Sequence, residues 1–120
     1  MASVTGGGGF DDVFEVVGRS ATIRQAWDLT RRGGTTVVVG AGGMEDMVSF
    51  SAFELFFSEK KLLGSYYGSG DVRRDFDRLL DLWRAGRLDL DAMITQRLPL
   101  DDLNDAFEAL KSGEVIRQFV

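Results

Sequence analysis

The side chains available for chemistry in this 120-residue chain are carboxylates, lysines, arginines and one pair of tyrosines, because the sequence holds no cysteine and no histidine. Without thiols there is no disulfide framework, thiolate nucleophile or redox pair. Without thiols or imidazoles the usual zinc, copper and iron donor sets cannot be assembled from these residues. Triads and dyads built on imidazole are excluded as well, so catalysis here would need carboxylates, Lys, Tyr or a bound cofactor. The carboxylate pairs Asp11/Asp12, Asp89/Asp91 and Asp101/Asp102 could form acid–base dyads. They stand at the starts of expected elements, where Asp caps helices and complements their dipoles, and are read as caps and solvated loops.

Glycine runs invite a phosphate-binding reading, and each fails on its neighbours. Gly6 to Gly9 lack a following Lys-Ser or Lys-Thr and precede a strand, whereas a P-loop follows one. Gly40-Ala41-Gly42-Gly43-Met44-Glu45 and Gly68-Ser69-Gly70-Asp71-Val72-Arg73 both miss the sixth position of the dinucleotide fingerprint. Tyr66-Tyr67 beside Gly68 is more suggestive, since ligands of open α/β sheets bind at strand C-termini and glycine admits close backbone approach. The structural alternative is that one ring packs and the other is exposed. Arg19, after a glycine that ends a strand, and Arg117, on the last expected strand, are candidate anion or stacking partners.

These residues need strands and helices to position them. Val13-Phe14-Glu15-Val16-Val17 reads as a strand ended by Gly18. Ser20 is placed to cap a helix carrying Ile23, Ala26, Trp27 and Thr30, with Gly33-Gly34 as its stop. The β-branched run Thr35-Thr36-Val37-Val38-Val39, closed by Gly40, has the pattern of a strand covered on both faces in a parallel sheet. A short apolar helical segment holds Phe53, Leu55, Phe56 and Phe57, and a third strand is expected over 62–67. Val72, Phe76, Leu79, Leu80 and Trp83 form the apolar stripe of the clearest helix, with Gly86 at its C′ position. A strand over 93–98, a helix from about Asp101 to a stop at Gly113, and an extended end over 115–120 complete an α/β alternation with right-handed crossovers. The 14 basic against 19 acidic side chains leave a net charge of −5, which argues against nucleic acid as a partner. No apolar run approaches the roughly 20 residues of a membrane span, and residues 1–5 lack the marks of a signal peptide, so the expected location is cytoplasmic.

Four blocks in this order carry a resemblance: Phe14-Glu15-Val16-Val17-Gly18-Arg19, Thr36-Val37-Val38-Val39-Gly40, Leu63-Gly64-Ser65-Tyr66-Tyr67-Gly68 and Leu110-Lys111-Ser112-Gly113-Glu114-Val115-Ile116-Arg117. They resemble the C-terminal portion of zinc-dependent medium-chain alcohol dehydrogenases, closer to the class III-like, thiol-dependent formaldehyde dehydrogenases than to the zinc-free quinone reductases. The resemblance implies a partial Rossmann-type parallel sheet, the second half of an NAD-binding domain over 1–87, followed by a helix–strand return segment of the catalytic domain over 88–120. The whole is treated as one truncated domain.

Residue roles follow from the same resemblance. Val17, Gly18 and Arg19 would lie along the adenosine side, with Arg19 at the adenine ribose. Val39, Gly40 and Ala41 would flank the nicotinamide, Val39 and Ser65 offering carbonyls and Tyr67 its backbone N–H to the carboxamide. Tyr66 would face the substrate pocket, and Arg117 would reach the pyrophosphate. Residues 48–57 match the region through which two cofactor domains join, with Phe56 and Phe57 near the partner's substrate cleft.

In that family the zinc ligands, the proton relay and the glycine fingerprint lie upstream of the matched part. The implied activity is therefore that of a parent enzyme acting on small alcohols or aldehydes with NAD and zinc. The chain alone is expected to be inactive, with no metal site and no assured hold on NAD. In the 3-2-1-4-5-6 strand order, strand 1 is the missing neighbour of the first strand here, so a homodimer or higher oligomer is expected through that edge, the 53–57 segment, or both. The alternative is a non-catalytic dimerisation or interaction module derived from the same family.

Overall fold

A computed structural model describes residues 2–113 and 115–120, which form two compact units dividing between Gly70 and Asp71. The first unit opens with a short helix α1 (Ala2–Thr5) and continues through β1 (Phe10–Glu15), α2 (Ser20–Leu29), β2 (Thr30–Val38), α3 (Ala52–Ser58) and β3 (Lys61–Gly64). Its strands lie side by side in the order β1-β2-β3, all parallel, as a strand–helix–strand alternation requires. The register aligns Val13 with Thr36 and Leu62, and Phe14 with Val37 and Leu63.

Local chemistry sets these boundaries, and several differ from the sequence expectation. β1 begins at Phe10 and stops at Glu15 rather than running over 13–17. Its ladder ends because the Glu15 side chain takes the N–H groups of Val17 and Gly18 for itself. Ser20 is not the cap of α2 but its first residue; Arg19 holds the cap position. The helix ends at Leu29, before Gly33-Gly34, because Thr30 turns the chain into β2. Its hydroxyl donates to the Ala26 carbonyl at 2.9 Å and lies 2.7 Å from the Thr36 hydroxyl. Gly33 and Gly34 fall instead in an irregular stretch of β2, where the pairing jumps from Phe10↔Thr30 to Asp12↔Thr35. β3 stops at Gly64 instead of reaching Tyr67, since its strand neighbour β2 ends at Val38 and Ser65 N–H closes the ladder on the Val38 carbonyl.

Trp27 is the largest side chain in the core, 1% exposed, with Ala26, Thr30 and Thr36 buried beside it. The helix that carries it is held by ionic and polar groups at its rim. Arg24 pairs with Asp28 and with both oxygens of Glu54, and the Trp27 indole donates to Glu54 Oε1 at 2.7 Å. Glu54 also closes a capping box with Ser51 at the start of α3. Hydrogen bonding from Arg24 holds the Glu54 carboxyl down to about 2, and burial opposes this only in part.

A carboxyl lowered from its ordinary 4.5 contributes stability that is whole above that pH and lost as pH falls toward the folded value. The thermal midpoint is therefore expected to drop between pH 4.5 and 2, and Glu54→Gln should flatten that part of the curve. Equal falls in midpoint between pH 4.5 and 2 for the two proteins would remove Glu54 from the acid response.

The other face of the sheet carries Phe14, Val37 and Leu63 in one row, and Phe14 is 66% exposed. β1 is an edge strand: among the described residues none pairs along its outer side.

The second unit contains α4 (Val72–Arg84), β4 (Gln96–Arg97), α5 (Leu103–Ser112) and β5 (Gln118–Phe119), the two short strands pairing in parallel. Asp71 caps α4 by accepting from Arg73 N–H. Gly86, at φ +68°, is its C′ residue, with Gly86 N–H on the Trp83 carbonyl and Arg87 N–H on that of Leu82. The strand expected over 93–98 shrinks to two residues, because its neighbour β5 is two residues long and a 3-10 turn occupies Asp91–Met93. Gly113, at φ +77°, ends α5 as expected.

Candidate functional site

The C-terminal ends of three parallel strands bring the loops 16–19, 39–42 and 65–67 to one edge of the sheet. The first two loops are stacked backbone on backbone. A Cβ on Gly40 would lie 2.1 Å from the Gly18 nitrogen, and one on Gly18 would lie 2.5 Å from the Ala41 carbonyl carbon. Gly18 also sits at φ +84°, so both positions require glycine. Val39 and Gly40 donate their N–H groups to the Glu15 carbonyl, at 2.7 and 3.1 Å, which ties the second loop to the end of β1. Val17, Gly18, Arg19, Val39, Gly40 and Ala41 therefore come together as one surface, with Ser65 joined to it through Val38.

Arg19 is exposed, and its charge adds to the lowering of the Asp46 carboxyl, which comes chiefly from hydrogen bonds with Ser20. Tyr66 and Tyr67 follow β3 directly. Neither is packed in the core: they are 83% and 72% exposed and meet edge to face at 4.7 Å between centroids. Tyr67 has φ +48° and Gly68 φ +73°, an unusual backbone for a bulky residue. Arg117 lies in the second unit, just before β5 rather than on it, because one of its two backbone bonds goes to the Thr95 side chain and not to a strand neighbour. There it lines a cleft of about 270 Å³ with Leu103, Phe107, Leu110 and Ile116.

Sequence reasoning passed over one residue of this surface. Glu15 is 4% exposed, and its carboxylate accepts from Val17 N–H and Gly18 N–H, each at 2.8 Å, and from the Thr22 hydroxyl at 2.7 Å. Burial raises its pKa, but the bonds from Thr22, Gly18 and Val17 outweigh that and leave the carboxyl below its ordinary value. The signal in the sequence is an acid embedded in the apolar run Phe14-Glu15-Val16-Val17.

Among the described residues no three carboxylates gather into a metal site. With no thiol or imidazole to add, zinc does not fit the donors of this chain. Nor, among the described residues, is any helix long and apolar enough to cross a membrane.

Comparison with known families turns this geometry into a lineage. The profile of a family described as zinc-binding dehydrogenase matches residues 1–85. The chain belongs to that family. Class-3 alcohol dehydrogenase of Drosophila melanogaster is 35% identical over 114 residues, which is 94% of this chain but 30% of that enzyme. Among solved structures, benzyl alcohol dehydrogenase from Acinetobacter calcoaceticus superposes with a TM-score of 0.83 at 24% identity, over 98% of this chain and 32% of its own, a likeness of fold. A zinc-binding dehydrogenase from Sinorhizobium meliloti 1021, bound to NADP, matches at 33% identity and TM-score 0.68 over 82% of this chain and 28% of its own.

This chain thus spans about 30% of the curated relatives it matches. Its three-stranded sheet is part of the Rossmann-type sheet of zinc-binding alcohol dehydrogenases. A nicotinamide dinucleotide is bound by one of those neighbours, and zinc belongs to the family rather than to the donors present here.

Proposed function

We propose that these 120 residues form the second half of the cofactor domain, and the return into the catalytic domain, of a cytoplasmic NAD-dependent, zinc-containing alcohol or aldehyde oxidoreductase. In this reading residues 1–87 belong to the cofactor domain and 88–120 to the catalytic domain. The observation that carries it is the stacking of Gly18 on Gly40 at the C-terminal ends of parallel strands, where open α/β sheets take dinucleotides.

Val17, Gly18 and Arg19 then follow the adenosine half. Val39, Gly40, Ala41, Ser65 and Tyr67 follow the nicotinamide, Tyr66 faces the substrate, and Arg117 meets the pyrophosphate. When bound, the nicotinamide supplies the hydride acceptor and zinc the activation of the alcohol. The residues of this chain bind and orient; none of them is a zinc ligand, so on its own the chain turns over no alcohol.

Two measurements test this. Supplied with zinc ions, NAD and ethanol, the chain is expected to form no NADH, and NADH production would overturn the claim of inactivity. Titrated with NADH, it is expected to show saturable quenching of Trp27 and Trp83 that ADP-ribose competes away. A folded chain that NADH leaves unquenched overturns the cofactor role of the loops.

The second reading is a non-catalytic dimerisation or interaction module. It is favoured by the unpaired outer side of β1, where Val13, Phe14, Val17, Ala26 and Leu29 line a cleft of about 200 Å³, and by the exposed, stacked Phe53 and Phe57 with Phe56 on α3. Both readings expect self-association. Light scattering at micromolar concentration should give at least the mass of a dimer, and a compact monomer would count against it.

A further inference from the structure

The turn from β1 into α2 is built like an anion site whose anion comes from the chain itself. A strand that runs through a glycine into a helix ordinarily leaves N–H donors pointing outward, and a ligand phosphate is their usual partner. Here four successive donors, from Val17 to Ser20, are already engaged. Val17 N–H and Gly18 N–H point at Glu15, Arg19 N–H reaches the Thr22 hydroxyl oxygen at 3.3 Å, and Ser20 N–H reaches Asp46 Oδ2 at 2.8 Å. The Thr22 hydroxyl, which also donates to Glu15, welds the first turn of the helix to the same carboxylate.

We propose that Glu15 is a positioning residue: its buried carboxylate occupies the place of a phosphate at the β1–α2 turn, closes that turn to phosphate groups, and fixes residues 16–19 so that Arg19 and the loop carbonyls are what a nucleotide meets. This deepens the cofactor reading above and rests on it for the nucleotide. The internal bonds themselves stand independently. A carboxylate is suited to the task because it accepts several donors at once through charge-assisted bonds, and its near-complete burial keeps water from competing. The consequence is a division of labour at the sheet edge, in which this turn takes sugar and leaves the pyrophosphate to other donors.

The test uses the ¹⁵N-labelled 120-residue chain and amide hydrogen exchange at Val17 and Gly18. Glu15→Gln keeps the shape and one acceptor but loses the charge. Exchange at these two amides is expected to accelerate about ten- to a hundredfold, while the Trp27 indole proton is unaffected. Glu15→Ala should lose the same protection, and acetate, but not chloride, should restore it by refilling the site. Inorganic phosphate should leave the two amide signals of the wild-type chain unmoved.

Unchanged protection in Glu15→Gln, no rescue of a folded Glu15→Ala by acetate, or a wild-type turn that responds to phosphate would each overturn the proposal. If Glu15→Ala does not fold, the Gln variant and the phosphate titration still decide it. The NADH titration separates the two levels. A wild-type chain deaf to NADH that still shows the exchange contrast refutes the cofactor reading and leaves Glu15 in place, whereas NADH binding without the contrast does the reverse.

Discussion

Replacing Gly40 with alanine is expected to cost about 3 kcal/mol of folding stability and to separate the two loops of the candidate site. The added Cβ would fall 2.1 Å from the Gly18 nitrogen and 2.5 Å from the Val17 carbonyl carbon, and both obstacles are backbone that cannot rotate aside. Relief requires the 39–42 loop to lift away, which breaks the Val39 and Gly40 bonds to the Glu15 carbonyl and exposes the turn that Glu15 organises. For a unit of this size the loss corresponds to a fall of roughly 12–24 °C in thermal midpoint. Gly43→Ala is the control: nothing lies within 4 Å of its Cβ position, so its melting curve should overlay that of the wild type. Equal midpoints for Gly40→Ala and Gly43→Ala would show that the loops are not in contact, and with that the structural basis of the candidate site would fall.

That contact was only half legible in the sequence. The second parallel strand could be read from its continuous β-branched run and the glycine that closes it, although the coverage on both faces that such a run suggests is missing on the side of Phe14 and Leu63. The order β1-β2-β3 followed from the resemblance to the dehydrogenases. The sequence could say that Gly18 and Gly40 follow their strands, but not that they meet each other, since such contact is set by register and twist across the 21 residues between them. Glu15 was missed for a related reason. A carboxylate in a strand reads as a solvated side chain until the donors that surround it are known, and two of those donors are the main-chain N–H groups of Val17 and Gly18.

Helix ends were legible where the capping is local and obscure where it is not. Gly86 and Gly113 were correctly placed, because a left-handed residue after an amphipathic run is a property of the run itself. Ser20 does not cap α2 because the helix start is held from elsewhere: its own N–H donates to Asp46, in a loop 26 residues on, and the Thr22 hydroxyl of the first turn donates to Glu15 on the strand before. The short strands of the second unit lay beyond periodicity altogether, since two residues cannot alternate. The apolar stripe of α4 was read correctly as a stripe. In this chain, however, Phe76, Leu79 and Trp83 stay largely exposed, as do Phe14 and Leu63 on the open sheet face. A chain spanning about 30% of its relatives carries apolar faces in excess of the partners it holds.

Trp27→Ala is expected to be the most damaging single substitution in the first unit, costing about 3–5 kcal/mol. Trp27 is the largest buried side chain, and the groups around it are arranged to use every part of it. Its ring meets Phe50 at 5.0 Å, its indole N–H binds Glu54, the Lys60 ammonium stands 5.2 Å over its face, and its carbonyl accepts from the same lysine at 2.6 Å. Removing the ring leaves a cavity and returns Glu54 and Lys60 to water, and the unit has few other buried apolar side chains with which to refill it. Trp27→Phe keeps most of the volume and loses only the indole donor, so it should cost about 1–2 kcal/mol. The chain has two tryptophans, so in either variant Trp83 remains as a reporter confined to the second unit. Loss of far-ultraviolet dichroism in Trp27→Ala with Trp83 emission unchanged would place the damage in the β1-β2-β3 sheet and its helices. A Trp27→Ala chain that melts with the wild type would mean that this core does not hold the sheet, and that the cofactor loops derive their order from a partner instead.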